Sequence, residues 1–442
     1  MKALEKGSPK LLNAWAFYDW ANSVYTLTIA SSVFPIFYEA LFTERDHYID
    51  VFGLHFKNSA LISFVTAAAF LLIAFISPIL SGIADYVGNK KSFMKFFCYM
   101  GALSCMGLYW FNLENIYMGL VFYFLGLIGY WGSLVFYNSY LPDIAFVEQQ
   151  DKISAKGYSL GYIGSVILLI INLAMIMKPK FFGITGTEGE AAMKAMRYSF
   201  VMVGVWWIIF SQYSYYFLPK GNKNAERKVT HAVIFNGFKE LKKVWDLLKQ
   251  NIPLKRYLGS FFVYSMAVQT VMLVATYFGA QEITWSSKAE STTGLIICIL
   301  IIQIVAVVGA VLTSRASEKF GNIPTLIVIN CIWAVFCAIA FFITLPIHFY
   351  AMAGVVGLVM GGIQALSRST YSKLLPETQD TASFFSFFDV SEKIGIVIGM
   401  LIYGIIDQIT GSPRFAIVFL GLFFIIGVIL LNKIPKTSTL NQ

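Results

Sequence analysis

Three groups of polar side chains stand where the surrounding sequence is almost wholly apolar. In the stretch NAWAFYDWANSVYTLTIASSVFPIFYEAL (13–41), Trp15, Asp19, Asn22 and Thr26 are spaced by four, three and four, which sets them on one face of a helix. Near residue 390, Asp389, Glu392 and Lys393 occupy i, i+3 and i+4, so Asp389 and Lys393 can pair along a helix with Glu392 beside them. Gln364, Ser367 and Arg368 close an apolar run at 348–372, and Asn138 and Gln269 stand inside two others. A carboxylate facing lipid costs about 2.5–3.5 kcal/mol on insertion scales. These groups must therefore face protein or a water-filled cavity, where their chemistry is the binding of protons, cations or small polar solutes. The sequence has no GxxxxGK[ST] phosphate loop, nucleophile elbow or HExxH pair, so neither ATP as a driving force nor an enzyme is expected.

Each group has a second reading. Asp19 is either a cavity acid or an acid hydrogen-bonded by its neighbours to fix helix packing. The Asp389–Glu392–Lys393 group is either a proton-coupling site or an ion pair that orients its helix. Arg368 can meet the anionic group of a solute, pair with Asp19 as an inner gate, or snorkel to lipid phosphate. Asn138, Gln269 and Gln364 either line a cavity or hydrogen-bond between helices. Gly157, Gly161 and Gly164, with Gly395 and Gly399, put small residues on single helix faces and are read as rocking surfaces.

Twelve apolar runs position these groups. The chain has 442 residues, 57% of them hydrophobic and only 13% charged, against about 25% charged in soluble domains. Runs long enough to cross about 30 Å of hydrocarbon fall at 13–41, 58–84, 93–112, 116–140, 155–178 and 196–218, then at 256–280, 291–313, 323–345, 348–372, 384–407 and 413–432. Of the 33 basic residues, 23 lie at the termini and in or at the edge of the gaps after even-numbered runs, eight lie in or at the edge of the other gaps, and Arg368 and Lys393 lie deeper within runs. That bias makes both termini cytoplasmic. The net charge of +9 thus marks a membrane side and not nucleic-acid binding. The five cysteines sit singly in apolar runs and the four histidines are scattered, so no metal site and no cofactor are expected.

The chain divides as 1–218, a six-helix bundle; 219–255, a cytoplasmic linker; and 256–442, a second six-helix bundle. In the linker, Ile234, Phe238, Leu241, Trp245 and Leu248 recur at helical spacing opposite a lysine-rich face, the pattern of an amphipathic helix on the inner leaflet. The halves repeat. In SGIADYVGNKK (81–91) and TSRASEKFGN (313–322), Ser81, Asp85 and Gly88 match Ser314, Glu318 and Gly321 at a constant offset of 233, as in parallel-repeat transporters.

The 81–91 loop resembles the signature between the second and third spans of the major facilitator superfamily. Ser81 stands at a position that is often glycine, with Gly82 next. YDWANSVY (18–25), FYNSYLPDIA (136–145), SAKGYSLGYIG (154–164), GGIQALSRSTYSKLLPE (361–377) and FFSFFDVSEKIG (384–395) resemble the hallmark blocks of its vacuole-effluxer branch, the autophagy-related or "unknown major facilitator" group. That resemblance spans both halves. It implies an all-α polytopic membrane protein of the major facilitator fold, with twelve helices as a 6+6 pseudo-repeat. It also implies a gate built from Asp85, Gly88 and Lys90, with Glu318 and Gly321 as repeat partners. Best-known members export amino acids from fungal vacuoles.

The expectation is a secondary transporter of a small polar solute, amino acids or related metabolites, by proton-coupled efflux. Solute contacts fall on Asp19, Asn22, Thr26, Asn138, Gln269, Gln364 and Arg368, and the coupling proton on Asp19, Asp389, Glu392 or Lys393. Import of peptides or muropeptides, and a non-transporting sensor or scaffold, are the alternatives. A monomer in a bacterial inner membrane is expected, with a vacuolar membrane also compatible.

Overall fold

Within a bilayer every backbone polar group must be satisfied by the chain itself, and a helix does so within one segment. The computed structural model, which describes residues 4–42, 48–51, 53–220 and 233–435, is accordingly helical along nearly its whole length. In the first half, α1 (Pro9–Val24) passes through a π-helical segment, Tyr25–Ser32, into α2 (Val33–Ala40). A short antiparallel hairpin, β1 (Tyr48–Val51) and β2 (Leu54–Lys57), pairs Ile49 with Phe56 and leads into α3 (Asn58–Val87). Then come α4 (Lys90–Gly107), α5 (Ile116–Asn138), the single turn α6 (Leu141–Ile144), α7 (Val147–Met177) and α8 (Glu188–Phe217). Helix α9 (Val233–Gln250) leads to α10 (Ile252–Glu282), α11 (Lys288–Phe320), α12 (Asn322–Ala340), α13 (Pro346–Leu374), α14 (Thr381–Thr410) and α15 (Pro413–Asn432).

Among the described residues, ten helices are long and apolar enough to cross a membrane. The two remaining expected crossings are helical as well, and each misses that standard for a visible reason. The first is divided by the π segment, and α4 carries Lys90, Lys91 and Lys95 in its opening turns. The protein is thus a polytopic, almost wholly helical integral membrane protein.

Two hydrophobic cores hold it together. One is drawn from residues 11–218 with Ala382, the other from 244–434 with Tyr162. The first and last described segments lie on one face, here termed the termini face. There the Gly7 amide bonds the Ile144 carbonyl, Arg256 bonds the Lys433 carbonyl, and Asn251 reaches Leu374. The repeat is visible in the turns on this face, where Gly88 and Gly321 both take positive φ, 69° and 86°. That is backbone a side chain would strain.

Several expectations need correction. Helix α7 starts at Val147, eight residues before the apolar run, because its first two turns are polar and project beyond the hydrocarbon. The linker helix also packs against the protein. Its Val244 and Leu248 enter the second core, Trp245 packs on Phe387 at 5.4 Å, and Lys243 donates to Asp380 at 2.8 Å. The Asp380 carboxylate raises the Lys243 ammonium above the usual lysine range. Ile234 and Phe238 have no described side chains. Of the glycines read as rocking surfaces, Gly157 lies at the seam, where a Cβ would meet Asp19 and Arg368, and the other four pack helices tightly within a half. A Cβ on Gly161 or Gly164 would meet Ser23 or Trp20 of the first half, and one on Gly395 or Gly399 would meet Met266 or Thr270 of the second. Ala155, Ala310 and Ala365 are further small residues at the seam between halves.

The tightest helix contact yields a test. A Cβ on Gly309 would lie 2.0 Å from the Leu358 carbonyl oxygen, and one on Gly361 2.1 Å from that of Ala306. Both atoms are backbone and cannot swing aside. Gly309→Ala and Gly361→Ala should each cost about 1–3 kcal/mol in thermal unfolding of the purified protein. Gly404→Ala, with open space around it, should cost nothing. Equal melting of all three would contradict the α11–α13 packing.

Candidate functional site

The two halves enclose a cavity of about 310 Å³. Its walls carry Asp19, Ser23 and Thr26 from the first span, Tyr130 and Asn138 from α5, and Tyr158 and Tyr162 from α7. The other half contributes Gln269 of α10, Gln303 of α11, Gln364 and Arg368 of α13, and Asp389 and Glu392 of α14. The cavity reaches Ala30 and Ser31, both exposed, at the far end of the π segment. Local departures from α geometry are frequent at functional sites.

Arg368 sits between the halves and is 2% exposed. Nε donates to Ser154 Oγ at 3.0 Å and Nη2 to the Ser154 carbonyl at 2.9 Å. Nη1 and Nη2 each reach Asp19 Oδ2 at 3.2 Å, and Nη1 also reaches Asn138 Oδ1 at 3.3 Å. The guanidinium lies 4.2 Å from the Tyr158 ring centroid and 4.8 Å from that of Trp15. Tyr137 stacks on Trp15 and donates to Asp19 at 2.8 Å. All three nitrogens of one side chain are therefore bonded to the other half, in an aromatic cage that strengthens the charge contacts. The snorkelling alternative is overturned, because no part of Arg368 reaches lipid. Its pairing with Asp19 is the arrangement present.

On α14, Lys393 bonds Asp389 Oδ1, and its ammonium lies 4.1 Å over the Trp131 ring of the opposite half. Among the described residues, Asp389 Oδ2 is buried without a partner. Glu392 accepts from Gln269 Nε2 at 2.6 Å. Tyr162 donates to Gln364 at 2.5 Å, a further bond across the seam.

Toward the termini face the seam is closed by three more contacts. Asp85 accepts from the amides of Ala382 and Ser383 at 3.2 and 2.7 Å, and from the Ser383 hydroxyl at 2.7 Å. The carboxylate of one half thus caps the N-terminus of α14 in the other, where the helix dipole favours negative charge. Lys90 bonds Asp143 and reaches Thr381 at 2.9 Å and the Ser139 carbonyl at 3.0 Å. Asp151 accepts from Lys373 at 2.8 Å and from Ser317 and Asn322 at 2.9 Å each.

The expected residues sort unevenly. Asp19, Thr26, Asn138, Gln269, Gln364, Arg368, Asp389 and Glu392 line one cavity, and Asp85 and Lys90 bridge the seam with Gly88 turning the chain between them. Asn22 does not reach the cavity. It is 0% exposed, and its amide nitrogen has no partner among the described residues, because the turn of α1 carries it into the first half's core. Lys393 faces Trp131 and not the cavity. Glu318 is exposed and, among the described residues, has no hydrogen bond or ion pair. Its expected seam role falls to the adjacent Ser317, while Gly321 keeps the turn. Asp151, Ser154, Tyr158, Lys373 and Ser383 were not foreseen. Yet Ser154, Tyr158 and Lys373 lie inside the hallmark blocks, so block membership was the usable signal.

Comparison with known proteins agrees with this architecture. The family model described as "Vacuole effluxer Atg22 like" matches residues 7–150 and 145–441. An uncharacterized MFS-type transporter, YxiO of Bacillus subtilis, is 31% identical over 97% of this chain and 95% of its own length. Autophagy-related protein 22 of Vanderwaltozyma polyspora is 24% identical over 95% and 89%. Among solved structures, FucP in the outward conformation superposes with a TM-score of 0.70 at 13% identity, covering 97% of this chain and 99% of that one. The proton:xylose symporter XylE gives 0.71 at 12% identity, covering 97% and 96%. These last two likenesses show the fold.

The buried pair predicts strong coupling. Asp19→Ala leaves Arg368 charged and unpaired, which should cost about 3–5 kcal/mol. Asp19→Ala with Arg368→Met should recover much of that loss. Thermal unfolding of the parent, both single variants and the double variant closes the cycle, and additive losses would contradict the pairing.

Proposed function

The chain belongs to the vacuole effluxer Atg22-like family, a group of membrane transporters of the major facilitator type, and from that premise we propose that it exports small polar solutes, amino acids or related metabolites, by proton-coupled alternating access. The observation that carries the reading is the Arg368–Asp19 contact. It ties one half to the other at the cavity wall nearest the termini face, so the cavity cannot open to that face while the pair holds. The basic-residue bias makes the termini face cytoplasmic, in the inner membrane of a bacterium. The arrangement described above is then the outward-facing one. Residues 1–218 and 256–442 act as the two rocking halves of a monomer, with 219–255 tethering them.

The solute binds among Asp19, Thr26, Asn138, Gln269 and Gln364, with the acids Asp19, Asp389 and Glu392 available to the coupling proton. Protonating Asp19 removes the charge that holds Arg368 across the seam and frees the guanidinium. The second half can then swing, because the remaining contacts on that face are of the same reversible kind. A solute carboxylate arriving from the cytoplasm meets the freed Arg368; Asp19 then releases its proton to the cytoplasm and reclaims the guanidinium, which passes the carboxylate into the cavity and closes it behind the solute. Differential binding of the two states by proton and solute is what drives such a cycle.

Counterflow in proteoliposomes tests this with a panel of amino acids, short peptides and muropeptides. The expected outcome is exchange of at least one amino acid, faster with an inward proton gradient and falling to background in Arg368→Ala. Exchange confined to peptides or muropeptides would replace efflux of amino acids by import of fragments. No exchange of any solute would leave a sensor that keeps the fold.

A further inference from the structure

We propose that Asp389, Glu392 and Gln269 form a subsite with room for one positive charge, for which a primary ammonium group on the solute and a proton compete. The inference deepens the transporter reading and rests on it. It assigns the recognised group and makes the exchange of solute for proton a property of one site.

Acceptors are what the three residues offer. Asp389 is 5% exposed, and among the described residues its Oδ2 has no partner although the residue lines the cavity. Glu392 spends Oε1 on Gln269 Nε2. Among the described residues no donor reaches Glu392 Oε2 or Gln269 Oε1. Three unfilled acceptors on residues of one cavity wall match the three N–H donors of a primary ammonium. A carboxylate would meet only acceptors there. Lys393 cannot reverse that preference, because its ammonium is committed to Asp389 Oδ1 and the Trp131 face.

Charge counting gives the competition. Two carboxylates against one lysine leave the group at minus one, and a bare buried carboxylate is costly. One proton on either acid removes the deficit, and so does one ammonium. Both together would leave an excess positive charge with no acceptor. The other ionisable groups around the site do not alter this count. Tyr130, Tyr158 and Tyr264 face Glu392 from α5, α7 and α10, and Asp19 and Arg368 neutralise each other. Asp85 on α3 and Lys243 on α9 act on α14 only at or before its first turn, through Ser383 and Asp380. Arg414 on α15 is held by Glu282 of α10 at the opposite end. Linkage then requires that binding the ammonium releases a proton and that acid weakens binding.

The purified full-length protein is titrated with leucine, isoamylamine and 4-methylvalerate, which share a branched chain and differ in ammonium and carboxylate. Calorimetry in two buffers of different ionisation enthalpy counts the protons released. Leucine and isoamylamine are expected to bind and release a proton, with affinity falling by up to about tenfold per pH unit on acidification. 4-Methylvalerate is expected not to bind. Glu392→Gln preserves an acceptor for Gln269, and it should abolish both amine binding and proton release while melting like the parent. Should that variant fail to fold, the three compounds on the parent protein still decide. Equal binding of 4-methylvalerate, or amine binding without proton release, overturns the subsite. If the amines are silent while counterflow detects another solute, this inference falls and the transporter stands. Silence in both assays removes both.

Discussion

A guanidinium cannot be left bare inside a bilayer, and the donors of Arg368 find their acceptors only on the opposite half of the protein. That constraint organises the seam. Asp19, Asn138 and Ser154 come from three different helices, α1, α5 and α7, and each must be in register for the charge to be satisfied. The close approach of α7 to α1 that this demands is made at Gly157, where a Cβ would lie 2.4 Å from Asp19 Oδ2. Three further contacts, at Asp85, Lys90 and Asp151, cross the same seam toward the termini face. Each is polar and directional, so the halves can hold this arrangement or leave it, with little stability in between. Packed interfaces of this sort are bistable.

The fold was legible because lipid leaves the chain few choices. Long apolar runs and the recurrence of Gly88 as Gly321 were enough to give the helix order and the repeated turn. The site was legible only in part. Asp19 and Arg368 stood out because each is a charge in an apolar run, and such charges need partners. Whether Arg368 turned inward or toward lipid depended on whether acceptors lay within reach, which is a fact of tertiary structure. Asn22 shares a helical spacing with Asp19, but the cavity admits a narrower stripe of α1 than the sequence pattern allows. Glu318 fits the repeat by alignment, yet the halves pair differently at their two loops. Asp151 supplies the buried acid that the alignment sought at Glu318, from a polar stretch that continues α7 beyond the hydrocarbon. The π segment has no signal in hydrophobic period, since its apolar residues satisfy an α-helical face equally well.

Two charge groups in one cavity divide the work. Asp19 with Arg368 is neutral and spans the seam, so it reports and restrains the relative position of the halves. The α14 group sets two carboxylates against one lysine and belongs mainly to the second half, so under the proposal above its occupant exchanges without breaking the seam directly. Lys393 above Trp131 links the two, because that ring lies on the opposite half.

The central claim is that Arg368–Asp19 holds the termini face closed. Its most direct test is a pair of spin-label distance distributions on the reconstituted protein. One pair joins the exposed positions Lys152 and Lys319 on the termini face, and the other joins Lys180 and Thr284 on the opposite face. In Asp19→Asn the first distance is predicted to lengthen and the second to shorten relative to the parent. Unchanged distributions on both faces would contradict the claim and reduce the pair to a packing contact.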